Sequence, residues 1–126
     1  MTGPALLDTH AVLWWLSDDP RLSDTARVIV ADARHPMHVS AASLWEIAIK
    51  RSLGKIEAPD DLPDVVRAEG LTLMPVGAAH AWAVRSLPRH HGDPFDRLLV
   101  AQARIESLPI VSADGQLDAY GIDRRW

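Results

Sequence analysis

Short apolar runs alternate with longer amphipathic ones along the whole chain. Residues 5–7 (ALL) are apolar and too few for a helix, which predicts a strand ending at Asp8. Residues 9–16 (THAVLWWL) predict a helix stopped by Ser17-Asp18-Asp19-Pro20, and Ser23 is placed to cap a second helix running to about Ala33. Residues 37–40 predict a second strand, and residues 42–53 a helix closed by Gly54. A helix over 60–69 ending at Gly70, a strand over 71–74 and a helix over 78–87 follow. Asp93-Pro94 pairs a capping residue with the residue favoured at the first helical position, opening a helix that continues to about Glu106. Residues 109–111 predict a strand, 116–120 a helical turn, and the last residues an edge strand.

Strands that alternate with helices imply right-handed crossovers and a parallel sheet covered on both faces. The expected fold is therefore α/β: one domain over 1–126, a three-layer α/β/α sandwich with a central parallel sheet of four to five strands. In such sheets the functional crevice lies beyond the carboxyl ends of the strands, at the point where strand order reverses.

Most acids have ordinary roles: Asp18, Asp19, Asp60, Asp61 and Asp64 sit in turns or first helical turns. Four others do not. Asp8 directly follows Leu6-Leu7, where it can cap the next helix, project into the crevice, or do both. Glu46 lies in SAASLWEIAIKRSLG, in which Leu44, Trp45, Ala48, Ile49 and Leu53 form one apolar arc, expected to be the buried face. Glu46 falls at the rim of that arc beside Lys50. The plain alternative to a functional carboxylate is a surface i,i+4 pair worth about 0.3–0.5 kcal/mol. Asp93 reads as a structural cap. Asp96 shares a face with Leu99, Val100 and Ala103, which favours a functional role over service as the acidic partner in a capping box. Asp114 precedes Gly115, a common turn signal, yet again stands just past a strand.

In the predicted sandwich all four can converge at one edge of the sheet. Carboxylates that close repel, and they coexist only with protons or a cation. The chain has no cysteine, which excludes disulfides, thiolate metal sites and a thiol nucleophile and points to a reducing compartment, the cytoplasm. Oxygen ligands alone suit a hard divalent ion, Mg²⁺ or Mn²⁺. Such an ion polarises a phosphoryl oxygen and activates water, the chemistry of phosphodiester hydrolysis. No apolar run approaches 18 residues and no basic N-terminal region precedes one, so neither a membrane span nor a signal peptide is expected. The net charge of −4 argues against simple coating of nucleic acid, although eleven of the thirteen basic residues are Arg, whose planar fork suits phosphate or carboxylate partners.

Four segments, LLDTHAVLWWLSDDPRLS, SAASLWEIAIKRSLGKI, HHGDPFDRLLVAQARIE and VSADGQLDAYGI, resemble in order and spacing the PIN-domain toxins of VapC type. These are the ribonuclease components of type II toxin–antitoxin pairs, and the resemblance covers nearly the whole chain. It implies an α/β/α sandwich and an acidic Mg²⁺ or Mn²⁺ site that cuts RNA. It also implies a homodimer and a cognate antitoxin that lays a segment along the acidic groove. Matched by motif, Asp8 in LLDTH, Glu46 in LWEIAIK, Asp96 in DPFDRLLVAQA and Asp114 in SAD take the family's catalytic and metal-ligating positions. Asp93 and Ser112 fall at outer positions of the same site, Ser112 where the family's T-x-D motif carries threonine. Lys50, Arg51 and Arg97 are candidates for gripping the RNA backbone, while His10, His90 and His91 are assigned packing or surface roles. Leu117 replaces an aromatic residue often found after the fourth acid, and residues 122–126 (IDRRW) are more charged than the family's usual final strand. The five Trp are expected in core or interface packing.

Two other metal-using α/β families fit less well. A haloacid-dehalogenase-type phosphotransferase needs a second Asp two residues after the first, where this chain has His10. A receiver domain needs a late Lys, and the only two are Lys50 and Lys55. A PIN fold without activity, serving as an RNA- or protein-docking module, is the non-enzymatic alternative; the presence of all four acids stands against it.

Overall fold

The computed structural model describes residues 3–126. Its elements are β1 (Ala5–Leu7), α1 (Thr9–Leu16), α2 (Asp24–Ala31), β2 (Met37–Ser40), α3 (Ala41–Ser52), α4 (Leu62–Ala68), β3 (Thr72–Met74), α5 (Ala78–Ala83), α6 (Pro94–Glu106), β4 (Ile110–Val111) and β5 (Arg124–Arg125). Single 3₁₀ segments follow α5 (Val84–Ser86) and β4 (Gly115–Tyr120). The strands form one sheet in the order β3-β2-β1-β4-β5, and every pairing is parallel.

The predicted α/β/α sandwich is therefore present, with the sheet at five strands. Residues of β1 are buried on both faces, as in a sheet covered by helices on each side. Ala5 and Leu7, with Met37, Val39 and Val111, pack on Val12, Ala26, Val30, Ile47 and Val66 of α1–α4. Leu6 and Ile110 face the other way, onto Leu99, Val100 and Ala103 of α6. The chain builds β1, β2 and β3 outward on one side, then returns to add β4 and β5 on the other. The order reverses between β1 and β4, and the crevice of the fold opens there.

Several boundaries moved. The second helix ends at Ala31 rather than about Ala33, and the stretch predicted as one helix over 78–87 tightens into a 3₁₀ turn after Ala83. Ser23 caps α2 as expected, accepting from the Ala26 N–H. Gly54 and Gly70 follow α3 and α4 with φ of 71° and 79°, a conformation that costs glycine nothing and stops each helix.

The larger correction concerns α3. The arc expected to be buried is the outward one: Trp45, Ile49 and Leu53 are 61%, 37% and 63% exposed. The buried face is instead Ala42, Ser43, Glu46 and Ile47. Small residues at 42 and 43 let α3 sit closely in the layer, and the face they define carries Glu46 inward. Trp82 is also exposed, whereas Trp14 is partly buried and packs its ring against Trp126.

Candidate metal-binding active site

Asp8 and Asp114 emerge from the adjacent central strands β1 and β4, each just past the strand's carboxyl end. Asp8 is buried; one of its oxygens accepts the Ala11 N–H at 2.8 Å, so it caps α1 as well as facing the crevice. Burial pushes its carboxyl above the ordinary value, offset in part by hydrogen bonds from Ser112 and the Ala11 N–H. Ser112, fully buried, also accepts the Asp114 N–H at 3.0 Å. It thus ties the ends of β1 and β4 together. Asp114 caps the 3₁₀ turn, accepting the Gln116 N–H at 2.9 Å through Oδ1 and leaving Oδ2 toward the crevice.

Asp96 enters from the first turn of α6. Asp93 is the cap there, accepting the N–H groups of Phe95 and Asp96 at 2.8 and 3.1 Å, and so frees the Asp96 carboxyl for the crevice. Burial first, then the charge of Asp93 and those of Asp8 and Glu46, push Asp96 up to about 7, against the lowering influence of His91. Burial is the larger cause; the added push from Asp93, Asp8 and Glu46 is what acids gathered on one spot produce.

Glu46 comes in from α3. Both of its oxygens are held: Oε1 accepts from Thr9 Oγ1 and Oε2 from Lys50 Nζ, each at 2.6 Å. The Glu46–Lys50 pair is not the loose surface pair considered from sequence, because the Glu46 side chain is only 5% exposed. Lys50 also feels the charges of Asp93 and Asp96, which places it beside the cluster.

The other basic candidates sit differently. Arg51 pairs with Asp60 on the surface. Arg97 directs its guanidinium to the carbonyls of Pro88, Val84 and Leu87 and to the Tyr120 hydroxyl, holding the segment before α6 in place.

Two participants were not read from the sequence. Thr9 positions Glu46, a role that could have been suspected from its place directly after Asp8. His91, given a packing or surface role, reaches Asp114 Oδ2 at 2.8 Å and Asp96 Oδ2 at 3.3 Å through Nε2. One ligand atom each from His91, Asp96 and Asp114 lies within 4.8 Å of the others. A separate concavity of about 720 Å³, lined by Val28, Ile29, Arg124 and Trp126 among others, contains none of these residues.

A donor set of carboxylates, with one neutralising lysine and carboxyls that resist ionisation, fits a hard divalent cation.

The PIN domain family model matches residues 5–123. Ribonuclease VapC16 of Mycobacterium tuberculosis is 39% identical over 63% of this chain and 55% of its own length, so the chain matches little more than half of that relative. Ribonuclease VapC22 of the same organism is 32% identical over 91% of this chain and 90% of its own. Among solved structures, DNA-bound VapBC from Salmonella typhimurium superposes with a TM-score of 0.69 at 17% identity, covering 98% of this chain and 97% of that one. A toxin–antitoxin complex from Klebsiella pneumoniae gives 0.60 at 15% identity, covering 90% and 89%. These two share the fold. With acids standing past β1 and β4 of an all-parallel sheet, and a family match running through nearly every element, this chain belongs to the PIN domain family.

Proposed function

We propose that this PIN domain is a Mg²⁺- or Mn²⁺-dependent endoribonuclease acting as the toxin of a toxin–antitoxin pair. The observation that carries this reading is the convergence of Asp8, Glu46, Asp96 and Asp114 at the β1–β4 switch point, where Asp96 is pushed up to about 7. The VapC ribonucleases among its relatives support RNA as the substrate.

Asp8, Asp96 and Asp114 would hold the cation, with Asp93 and Ser112 fixing the backbone and hydroxyl contacts around them. Bound there, it supplies charge neutralisation and polarisation of a phosphoryl oxygen for in-line attack by water. Glu46 has both oxygens engaged by Thr9 and Lys50, which suits it to orienting water or sharing ligation from the rim. Lys50 is the basic candidate beside the scissile phosphate; Arg97 serves the fold through its carbonyl contacts.

The antitoxin reading draws on the toxin–antitoxin complexes of this fold, and an acidic crevice would attract Arg or Lys from an inhibitory segment. The exposed stripe of Trp45, Ile49 and Leu53 supports a homodimer, since an apolar helix face of that kind is costly to leave in water. Among the described residues no helix is long and apolar enough to cross a membrane, and we place the activity in the cytoplasm with its RNA substrate.

The test is cleavage of end-labelled RNA by the purified protein in Mg²⁺, in Mn²⁺ and in EDTA. Cleavage that needs the cation and disappears in Asp8→Asn is expected. Undiminished cleavage in EDTA would contradict the metal dependence, and an inert wild-type protein in both metals would favour the docking-module alternative. Sequencing RNA ends after controlled expression would then identify the target.

A further inference from the structure

His91 stands at the centre of the carboxylate cluster, and its two ring nitrogens have separate partners. Nδ1 lies 3.0 Å from the main-chain N–H of Asp93, which donates to it. A nitrogen that accepts a hydrogen bond carries no proton, so the proton of the neutral ring is on Nε2. Nε2 in turn faces Asp114 Oδ2 at 2.8 Å and Asp96 Oδ2 at 3.3 Å. The ring is held from its backbone too, because the His91 N–H donates to the Tyr120 hydroxyl at 2.9 Å, and Tyr120 is buried.

From this arrangement we infer that His91 is a positioning residue: its Nε2–H is hydrogen-bonded to Asp114 Oδ2 and keeps Asp96 Oδ2 3.3 Å away, a clasp that fixes the separation of the two acids, and it is not itself a metal ligand. Ligation through Nε2 would require that nitrogen to give up its proton. The neutral ring would then carry the proton on Nδ1, facing the Asp93 N–H donor to donor. Asp93 sits in the cap of α6, its own side chain engaged by Phe95 and Asp96, so its N–H cannot turn away without unwinding the helix start. Each carboxylate oxygen has two lone pairs, and an oxygen that accepts from His91 retains one for a cation. The clasp draws together two acids from separate elements, α6 and the turn after β4, whose charges would otherwise drive them apart.

The inference rests on the metal-site reading above, and Mn²⁺ alone is the probe that separates the two. Binding is followed through the free-ion resonance of Mn²⁺, and the bound ion is examined by pulsed electron paramagnetic resonance for directly coordinated nitrogen. The wild-type full-length chain should bind Mn²⁺ without a directly coupled imidazole nitrogen. His91→Ala should bind roughly 10–100-fold more weakly, the usual loss when an outer partner of a ligand is removed. His91→Gln, which can return an N–H donor near the Nε2 position, should recover most of that affinity. A directly coupled nitrogen in the wild type, unchanged affinity in His91→Ala, or a Gln variant as weak as Ala would each overturn the clasp. Should His91→Ala fail to fold, the wild-type spectrum and the Gln variant still decide. A wild type that binds no Mn²⁺ would remove the metal reading itself, and this inference with it.

Discussion

A histidine–carboxylate pair lies at each end of helix α6, and locally the two are nearly the same. At the N-terminal end, His91 accepts the Asp93 N–H through Nδ1 and meets Asp114 through Nε2 at 2.8 Å. At the C-terminal end, His80 accepts the Gly77 N–H through Nδ1 and meets Glu106 through Nε2 at 2.9 Å. Both rings are little exposed and both have the same tautomer imposed by a main-chain donor. What differs is the company. Beside His91 the first turn of α6 brings in Asp96, whose carboxyl is pushed up to about 7 by burial and then by the charges of Asp93, Asp8 and Glu46. Around His80 there is one half-exposed glutamate, and Gln102 reaching the Pro75 carbonyl at 3.3 Å. There the pair fastens α5 onto α6 and gives a carboxylate near an unfavourable helix C-terminus a hydrogen-bond partner. A histidine beside a carboxylate is thus no mark of a reactive site; an accumulation of like charge at a strand switch point is.

Substitutions at the two ends should separate them. The largest effect is expected at the N-terminal end: Asp96→Asn should reduce RNA cleavage by more than the roughly 10–100-fold typical of outer partners of a metal ligand. Glu106→Ala, assayed on the same RNA, should leave the rate at the wild-type level. Equal losses in the two variants would erase the distinction.

The next effect is on the pH dependence of stability without metal. Asp96 keeps its proton in the folded chain up to about 7, whereas the unfolded chain releases it near 3.8. Between these values the folded state binds more protons, so this group makes stability fall as pH rises from about 4 to about 7, with no further change above. In EDTA, thermal melting should show Asp96→Asn above the wild type at pH 8 and level with it at pH 4. A variant that melts lower at pH 8 would show that the carboxylate is well accommodated and acts as a structural partner.

Metal should reverse that penalty. Mn²⁺ should raise the wild-type melting temperature by mass action, and more at pH 8 than at pH 5.5, because the cation competes with the proton on Asp96. The rise should be much smaller in Asp96→Asn and undiminished in Glu106→Ala. The smallest effect is expected at the C-terminal end, where Glu106→Ala should cost about 1 kcal/mol in urea unfolding, the usual net worth of one hydrogen bond. A loss several times larger would mean that this pair organises more than the α5–α6 contact.

The order of the elements was legible because the central strands β1 and β4 are short, buried and wholly apolar, while Ser23, Gly54, Gly70 and Asp93-Pro94 punctuate the helices. Strand β5 was the least legible. Its two arginines stand in register with Ile110 and Val111, and Arg124 turns its side chain to Asp118 and the Ser112 carbonyl. In α3, periodicity found an apolar arc without saying which arc the fold covers, and small Ala42 and Ser43 took the buried side. Asp8, Asp96 and Asp114 stood out because each breaks an apolar context next to a strand end or helix start, and Glu46 because it stands at the rim of an apolar helix arc; the structure places Asp8 and Asp114 past adjacent strands. Thr9 and His91 left no comparable trace. Thr9 reads as the first residue of an apolar helix, and the direction of His91 depends on how Arg97 and Tyr120 hold the loop before α6.

The proposed function requires divalent metal to bind at the β1–β4 switch point and not at the His80–Glu106 pair. Crystals soaked in Mn²⁺ and measured at the manganese absorption edge would test it most directly. Anomalous density among Asp8, Asp96 and Asp114, with none between His80 and Glu106, is the predicted result. Density at the His80–Glu106 pair, or an empty switch point at a Mn²⁺ concentration that supports RNA cleavage, would contradict it.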